Sequence, residues 1–113
     1  MYKRGEIVLI PVPFTDLTAS KRRPVLVVSN DRHNTENSDM IVVAITSNLI
    51  QVGIPIANSD MTSGQLPKPS IIRSDKIYTL DQKIVVKTIG VISNAIQDSV
   101  VHEINRVIST FPR

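Results

Sequence analysis

Arg23, Thr46, Ser47, Arg73 and Asp75 all stand at or near the ends of short apolar runs, and together they supply groups that cleavage of a phosphodiester needs. Cutting RNA with its own 2′-hydroxyl takes a base for that proton, donors for the charge building on the phosphorane and an acid for the leaving oxygen. Arginine stays charged, and its forked donors match two phosphate oxygens at once. The hydroxyls of Thr46 and Ser47 can donate to a ligand oxygen. A carboxylate, Asp75 or Asp16, could serve as the base if its pKa suits the task. No metal is required, because the nucleophile is already tethered beside the phosphorus. Taken one at a time, the same residues read as a loop charge, strand-end hydroxyl caps and a surface ion pair. Only the combination points to a phosphate.

Competing chemistries lack their residues. Without cysteine, disulfides, thiol nucleophiles and thiolate metal sites drop out. His33 and His102 are the only histidines and show no HxxxH or HExxH spacing, so they read as surface residues and no metal site is expected. The four glycines form no Walker-type or dinucleotide-binding loop, there is no G-x-S-x-G elbow, and no cofactor is expected. The formal net charge of +3 is mildly basic and does not identify a partner by itself. Its distribution says more: Lys3, Arg4, Lys21, Arg22 and Arg23 face only Glu6 and Asp16 in the first part of the chain.

Such residues need a scaffold that brings distant strand ends together. The 113 residues, 42% hydrophobic, suit one domain over 1–113 with a single core. No apolar run reaches the ~18 residues of a spanning helix, so no membrane partner is expected. The first residues show no apolar leader, which fits a cytoplasmic protein. Ile and Val outnumber Leu and favour strands. Ile7–Ile10 reads as a strand ending at Pro11-Val12-Pro13, and Pro24–Ser29 as a strand with proline at its entrance, where no ladder donor need be lost. Asn30-Asp31 signals a turn, and Met40–Ile45 reads as the most buried strand. Ile54-Pro55-Ile56 looks like an edge strand, Asp60–Gly64 a loop, and Ser70–Ile77 and Ile84–Gly90 further strands. After Ser93 or Asn94, residues Ile96, Val100, Ile104, Val107 and Ile108 make one helical stripe. The expectation is a mainly β fold, a small curved sheet or barrel with a C-terminal α-helix.

Several segments occur in a telling order along the chain. They are Gly5-Glu6-Ile7-Val8, Pro13-Phe14-Thr15-Asp16-Leu17, Arg22-Arg23-Pro24 with its apolar strand to Asn30, Ala44-Ile45-Thr46-Ser47, and Ser70 through Lys76. Thr79-Leu80-Asp81 and Ile89-Gly90 follow. In that order they resemble the MazF/PemK family of toxins from type II toxin–antitoxin modules. The resemblance implies an SH3-like, partly open β-barrel of the CcdB/PemK type with a C-terminal helix, working as a homodimer. It implies a ribosome-independent, metal-independent endoribonuclease that cuts single-stranded RNA at a short motif, leaving a 2′,3′-cyclic phosphate and a 5′-hydroxyl. A cognate antitoxin would block the RNA groove, and operator DNA would be bound only by the toxin–antitoxin complex. By the same resemblance Arg23 and Thr46 carry catalysis, Arg73 and Asp75 serve catalysis and RNA contact, and Ser47 lies beside the phosphate. The segment Thr15–Arg22 is short and basic and would frame the groove, which makes Asp16, Lys21 and Arg22 candidate RNA contacts. Phe14 is either a stacking platform for a base or a core plug.

Two other classes compete. A non-catalytic gyrase poison of the CcdB type on the same barrel would work through the end of the terminal helix and leave RNA intact, and it has no need of a phosphate-facing cluster. A peptide-binding SH3-like adaptor needs an aromatic-lined groove, and aromatics are 4% of the chain. For dimer contacts, Ile54, Ile56 and the terminal helix are the candidates.

Overall fold

Strands made of β-branched residues send alternate side chains to opposite faces, and here both faces are apolar enough to be covered. The computed structural model describes residues 1–13 and 21–110, so Phe14 and Asp16 lie outside the described residues. The elements are β1 (Glu6–Pro11), β2 (Arg22–Val27), the short helix α1 (Asp31–Glu36), β3 (Asp39–Thr46), β4 (Ile54–Ile56), β5 (Met61–Gly64), β6 (Ser70–Asp81), β7 (Lys87–Ile92) and α2 (Asn94–Ile108). Their strands form one antiparallel sheet in the order β4-β6-β3-β2-β1-β7-β5. The sheet curls into the expected partly open, SH3-like half-barrel with the helix at the C-terminal end.

On one face Ile7, Leu26, Val43, Ile45 and Ile72 pack with Val100 of α2, and Ile96 and Ile104 press against them. On the other, Val8, Ile10, Val25, Val27, Val42 and Leu80 pack beside Tyr2 and Tyr78. Val100 is completely buried, a change worth about 1.5–3 kcal/mol. Ser93 caps α2 by accepting from the Ile96 amide at 3.4 Å. The apolar stripe outruns the sheet, leaving Val107 47% and Ile108 66% exposed. Among the described residues no helix is long and apolar enough to cross a membrane.

Several segments differ from the sequence expectation. Asn30 does not close a turn but caps α1, accepting from the His33 amide at 2.9 Å. Only Asn34 of that helix is buried, donating to the carbonyls of Tyr2 and Ser29, so no apolar period announced it. Met61–Gly64, expected as a loop, is the edge strand β5. Its end works because Gly64 adopts φ +72° and a Cβ there would collide with the Ile89 carbonyl. Lastly, Gln82–Ile84 forms a 3-10 turn capped by Asp81, which delays β7 to Lys87.

Candidate functional site

The site begins with a proline that breaks a ladder. In β2 the odd residues bond towards β1: the carbonyls of Lys21 and Val27 accept from Val12 and Gly5. By alternation the even residues face β3, as the Val28 amide does in donating to Ile41. Pro24 therefore lies inside β2, not at its entrance, and its missing donor falls on the β3 side. The β2–β3 pairing accordingly stops at Val25 and Ala44. Beyond that point the strand ends bound an open cavity of about 260 Å³, lined by Arg22, Arg23 and Pro24 on one side and Ile45 and Ser47 on the other.

Continuing the same register sets Arg23 across from Thr46 and Arg22 across from Ser47. Residues opposite each other share a face, so these are two pairs on two faces. Arg22 and Ser47 look into the cavity, whose floor is Leu9, Ile45, Leu66 and Ile89 and whose rim includes Lys68 and Ser70. Arg23 stands at the lip between it and a second hollow lined by Ile10, Val12, Ala44 and Tyr78. Thr46, half-buried, accepts from the Asn48 amide at 3.1 Å, which holds the turn that follows β3. Arg22, Arg23 and Lys68 have no carboxylate partner among the described residues. Lys21 is exposed just before β2, outside the lining of the cavity.

Arg73 belongs to the same face as Thr46. Thr46 pairs with Ile71 and Ala44 with Arg73, so Arg73 is the diagonal neighbour of Thr46, with backbones roughly 7–8 Å apart. Next, β6 bulges: Val43 pairs with Ile77, leaving Ser74, Asp75 and Lys76 outside the ladder. The bulge lets Asp75 take the Arg73 fork, Nε to Oδ1 and Nη2 to Oδ2, both at 3.1 Å. Arg73 Nη1 donates to Gln51 Oε1. The hydrogen bond from Arg73 holds the Asp75 carboxyl below the usual carboxylate range against the opposing pull of desolvation. Asp75 is thus ionised at neutral pH, but engaged and weakly basic.

Arg73 and Asp75 open into a different cavity, about 330 Å³, between β6 and α2. There Arg106 Nε donates to both carboxylate oxygens of Glu103 at 3.0 Å, depressing the Glu103 pKa and raising that of Arg106. The Ser74 hydroxyl is buried beside it without a partner. Of the predicted residues, Arg22, Arg23 and Ser47 line one cavity, Thr46 ends β3 between Arg23 and Arg73 in the strand register, and Arg73 and Asp75 line the other cavity, towards α2. Sequence reading missed Gln51, Glu103, Arg106 and Lys68. For Lys68 a signal existed in the bracketing Pro67 and Pro69; the others depend on a bulge and a helix packing that no local pattern reveals. Among the described residues no cluster of His, Cys, Asp or Glu could hold a metal.

Comparison with known proteins gives a consistent result. The family model described as "PemK-like, MazF-like toxin of type II toxin-antitoxin system" matches residues 3–109. Endoribonuclease MazF of Staphylococcus epidermidis is 32% identical over 85 residues, covering 74% of this chain and 71% of that protein. A mycobacterial endoribonuclease solved with its cognate antitoxin superposes with TM-score 0.75 over 100% of both chains at 17% identity. A MazE–MazF complex from Deinococcus radiodurans gives 0.73 over 97% of each chain at 15% identity. At such identities these two structures speak for the fold alone.

Proposed function

We propose that this chain, which belongs to the PemK-like, MazF-like toxin family of type II toxin–antitoxin systems, a family of endoribonuclease toxins, cuts single-stranded RNA without a metal by attack of the 2′-hydroxyl. One observation carries the reading: Arg22 and Arg23, which have no carboxylate partner among the described residues, line one cavity with Ser47 where the β2–β3 ladder stops, next to the end of β3 that carries Thr46. Arg23 and Thr46 grip the scissile phosphate, and Arg73 completes the ring of donors for the phosphorane charge. As the phosphate takes the Arg73 fork, Asp75 loses the hydrogen bond that depressed its pKa and becomes the stronger base. It then accepts the 2′-hydroxyl proton while the 2′-oxygen bonds to phosphorus, the P–O5′ bond breaks, and the 5′-oxygen takes a proton from solvent. The products are a 2′,3′-cyclic phosphate and a 5′-hydroxyl.

The same reading includes an antitoxin as inhibitor, operator DNA bound only through that complex, a cytoplasmic setting and a homodimer. Ile56 is buried in the core, while Ile54 on the edge strand β4 is half-buried against it. Exposed apolar residues include Leu49, Ile50 and Val52, at and after the Asn48 turn, and Val107 and Ile108 at the end of α2. Of these, Val52 and Val107 line the Arg73–Asp75 cavity.

The test is cleavage of a panel of single-stranded RNAs in EDTA, with ends mapped by primer extension and cyclic phosphate identified by its resistance to phosphatase. Cutting at a short motif, lost in a folded Arg23→Ala variant, is the expected result. Intact RNA together with gyrase inhibition that depends on the end of α2 would replace this reading with the poison.

A further inference from the structure

We propose that the cavity between the end of β3 and the Leu66–Ser70 segment is a subsite for one unpaired nucleotide beside the cut, with Lys68 holding its phosphate. The inference rests on the RNA-cleavage reading above and adds to it a residue other than Arg23, Thr46 and Arg73. The cavity has an apolar floor suited to the face of a base, and its rim carries Arg22, Arg23 and Lys68 with no carboxylate among the described lining residues. That combination asks for a flat group with a negative charge attached. At about 260 Å³ it is smaller than a typical drug-sized pocket of about 300–1,000 Å³, so it takes one base and not a stacked run.

The backbone that carries Lys68 is tied down on both sides. Pro67 and Pro69 fix their own φ, and the chain bends at Pro67 and Lys68. The Leu66 amide donates to Asn58 Oδ1 at 2.9 Å, and its side chain is buried. The Ser70 hydroxyl donates to the Lys68 carbonyl at 3.0 Å. A cation presented on a pre-ordered segment loses less freedom when a phosphate arrives.

The experiment uses the full chain and a single-stranded RNA whose cut site has been mapped. Each flanking phosphate is replaced in turn by a neutral methylphosphonate. With wild-type protein one replacement raises KM about tenfold while kcat holds. Lys68→Ala raises KM on unmodified RNA by the same factor, loses nothing further at that one position and lowers the salt slope by roughly 0.7. Lys68→Arg restores most of the affinity, and an abasic nucleotide next to that phosphate raises KM for both proteins. Wild-type KM and salt slope in Lys68→Ala, or penalties that multiply at every position, overturn the subsite while leaving the nuclease reading in place. Unchanged RNA handling with lost affinity for an acidic antitoxin peptide also overturns it and gives the cavity to the protein partner. A wild-type protein that cuts no RNA overturns both.

Discussion

The cleft at the open end of β2 and β3 and the cleft between β6 and α2 hold similar side chains in opposite states of pairing. In the first, Arg22, Arg23 and Lys68 face an apolar floor without a carboxylate among the described lining residues. In the second, Arg73 is forked onto Asp75 and Arg106 onto Glu103. Unpaired cations beside apolar walls generate a field that draws in an anion, and no internal pair must break first. Paired ones contribute little net charge but fix direction, because a bidentate fork orients the guanidinium plane. The contrast teaches a division of labour: the first cleft captures and stabilises charge, while the second aims Arg73 and waits to exchange partners.

The largest effect should fall on the capture side. Arg23→Ala is expected to lower kcat by about 10²–10³, the usual consequence of losing one transition-state donor, with thermal unfolding unchanged. Arg22→Ala, whose side chain shares the cavity face with Ser47, should raise KM about tenfold and leave kcat alone. Steady-state kinetics on one mapped RNA separate the two. Equal losses in kcat would mean that the two faces of β2 are not distinct in function.

The clefts also differ at their rims, cationic in one and apolar in the other. Ile50 is 86% and Val52 88% exposed. Placing a charge in such a patch should weaken self-association strongly, so Val52→Asp is expected to raise the dimer dissociation constant about 30-fold or more, as loss of a central contact does. Sedimentation at several concentrations measures it. A wild-type chain that stays monomeric throughout would leave the apolar rim without a homodimer to explain it.

Pro24 gives the next, smaller test and shows what the sequence could and could not disclose. Pro24→Ala returns a donor to the β3 side, so the ladder should extend by one bond and narrow the capture cleft. The expected result is a kcat/KM lowered about tenfold, a stability change within about 1.5 kcal/mol, and hydrogen-exchange protection at the new residue 24 amide. The strands that carry the site were legible because Ile7–Ile10, Pro24–Ser29 and Met40–Ile45 are apolar runs of strand length, and α2 because its stripe keeps a helical period. The positions of Arg23, Thr46 and Arg73 followed from those runs. What Pro24 does was not legible: whether a proline faces an open edge or a neighbouring strand depends on the parity of bonding, which is set by β1 and not by residues near Pro24. The β6 bulge was hidden for a similar reason. Ser74-Asp75-Lys76 has no glycine to mark it, and it exists because β3 needs two different registers along one partner.

The smallest effect is one on stability alone, in the aiming cleft. Because the Arg73 hydrogen bond depresses the folded-state pKa of Asp75, with Lys76 adding a minor pull, the ionised carboxylate stabilises the fold. That contribution is fully present above the unfolded-state carboxylate pKa and is lost as pH falls through the folded-state value. Asp75 is 46% exposed, so solvent screens the pair and its worth is at most about 1 kcal/mol. Asp75→Asn should therefore be slightly less stable than wild type at neutral pH, and the two urea midpoints should converge in strong acid, near pH 2. High salt should shrink the neutral-pH gap as well. A gap that persists unchanged in acid would mean that Asp75 supports the bulge by shape and not by charge. The aiming role would then pass to Gln51, which binds the same guanidinium from the other side.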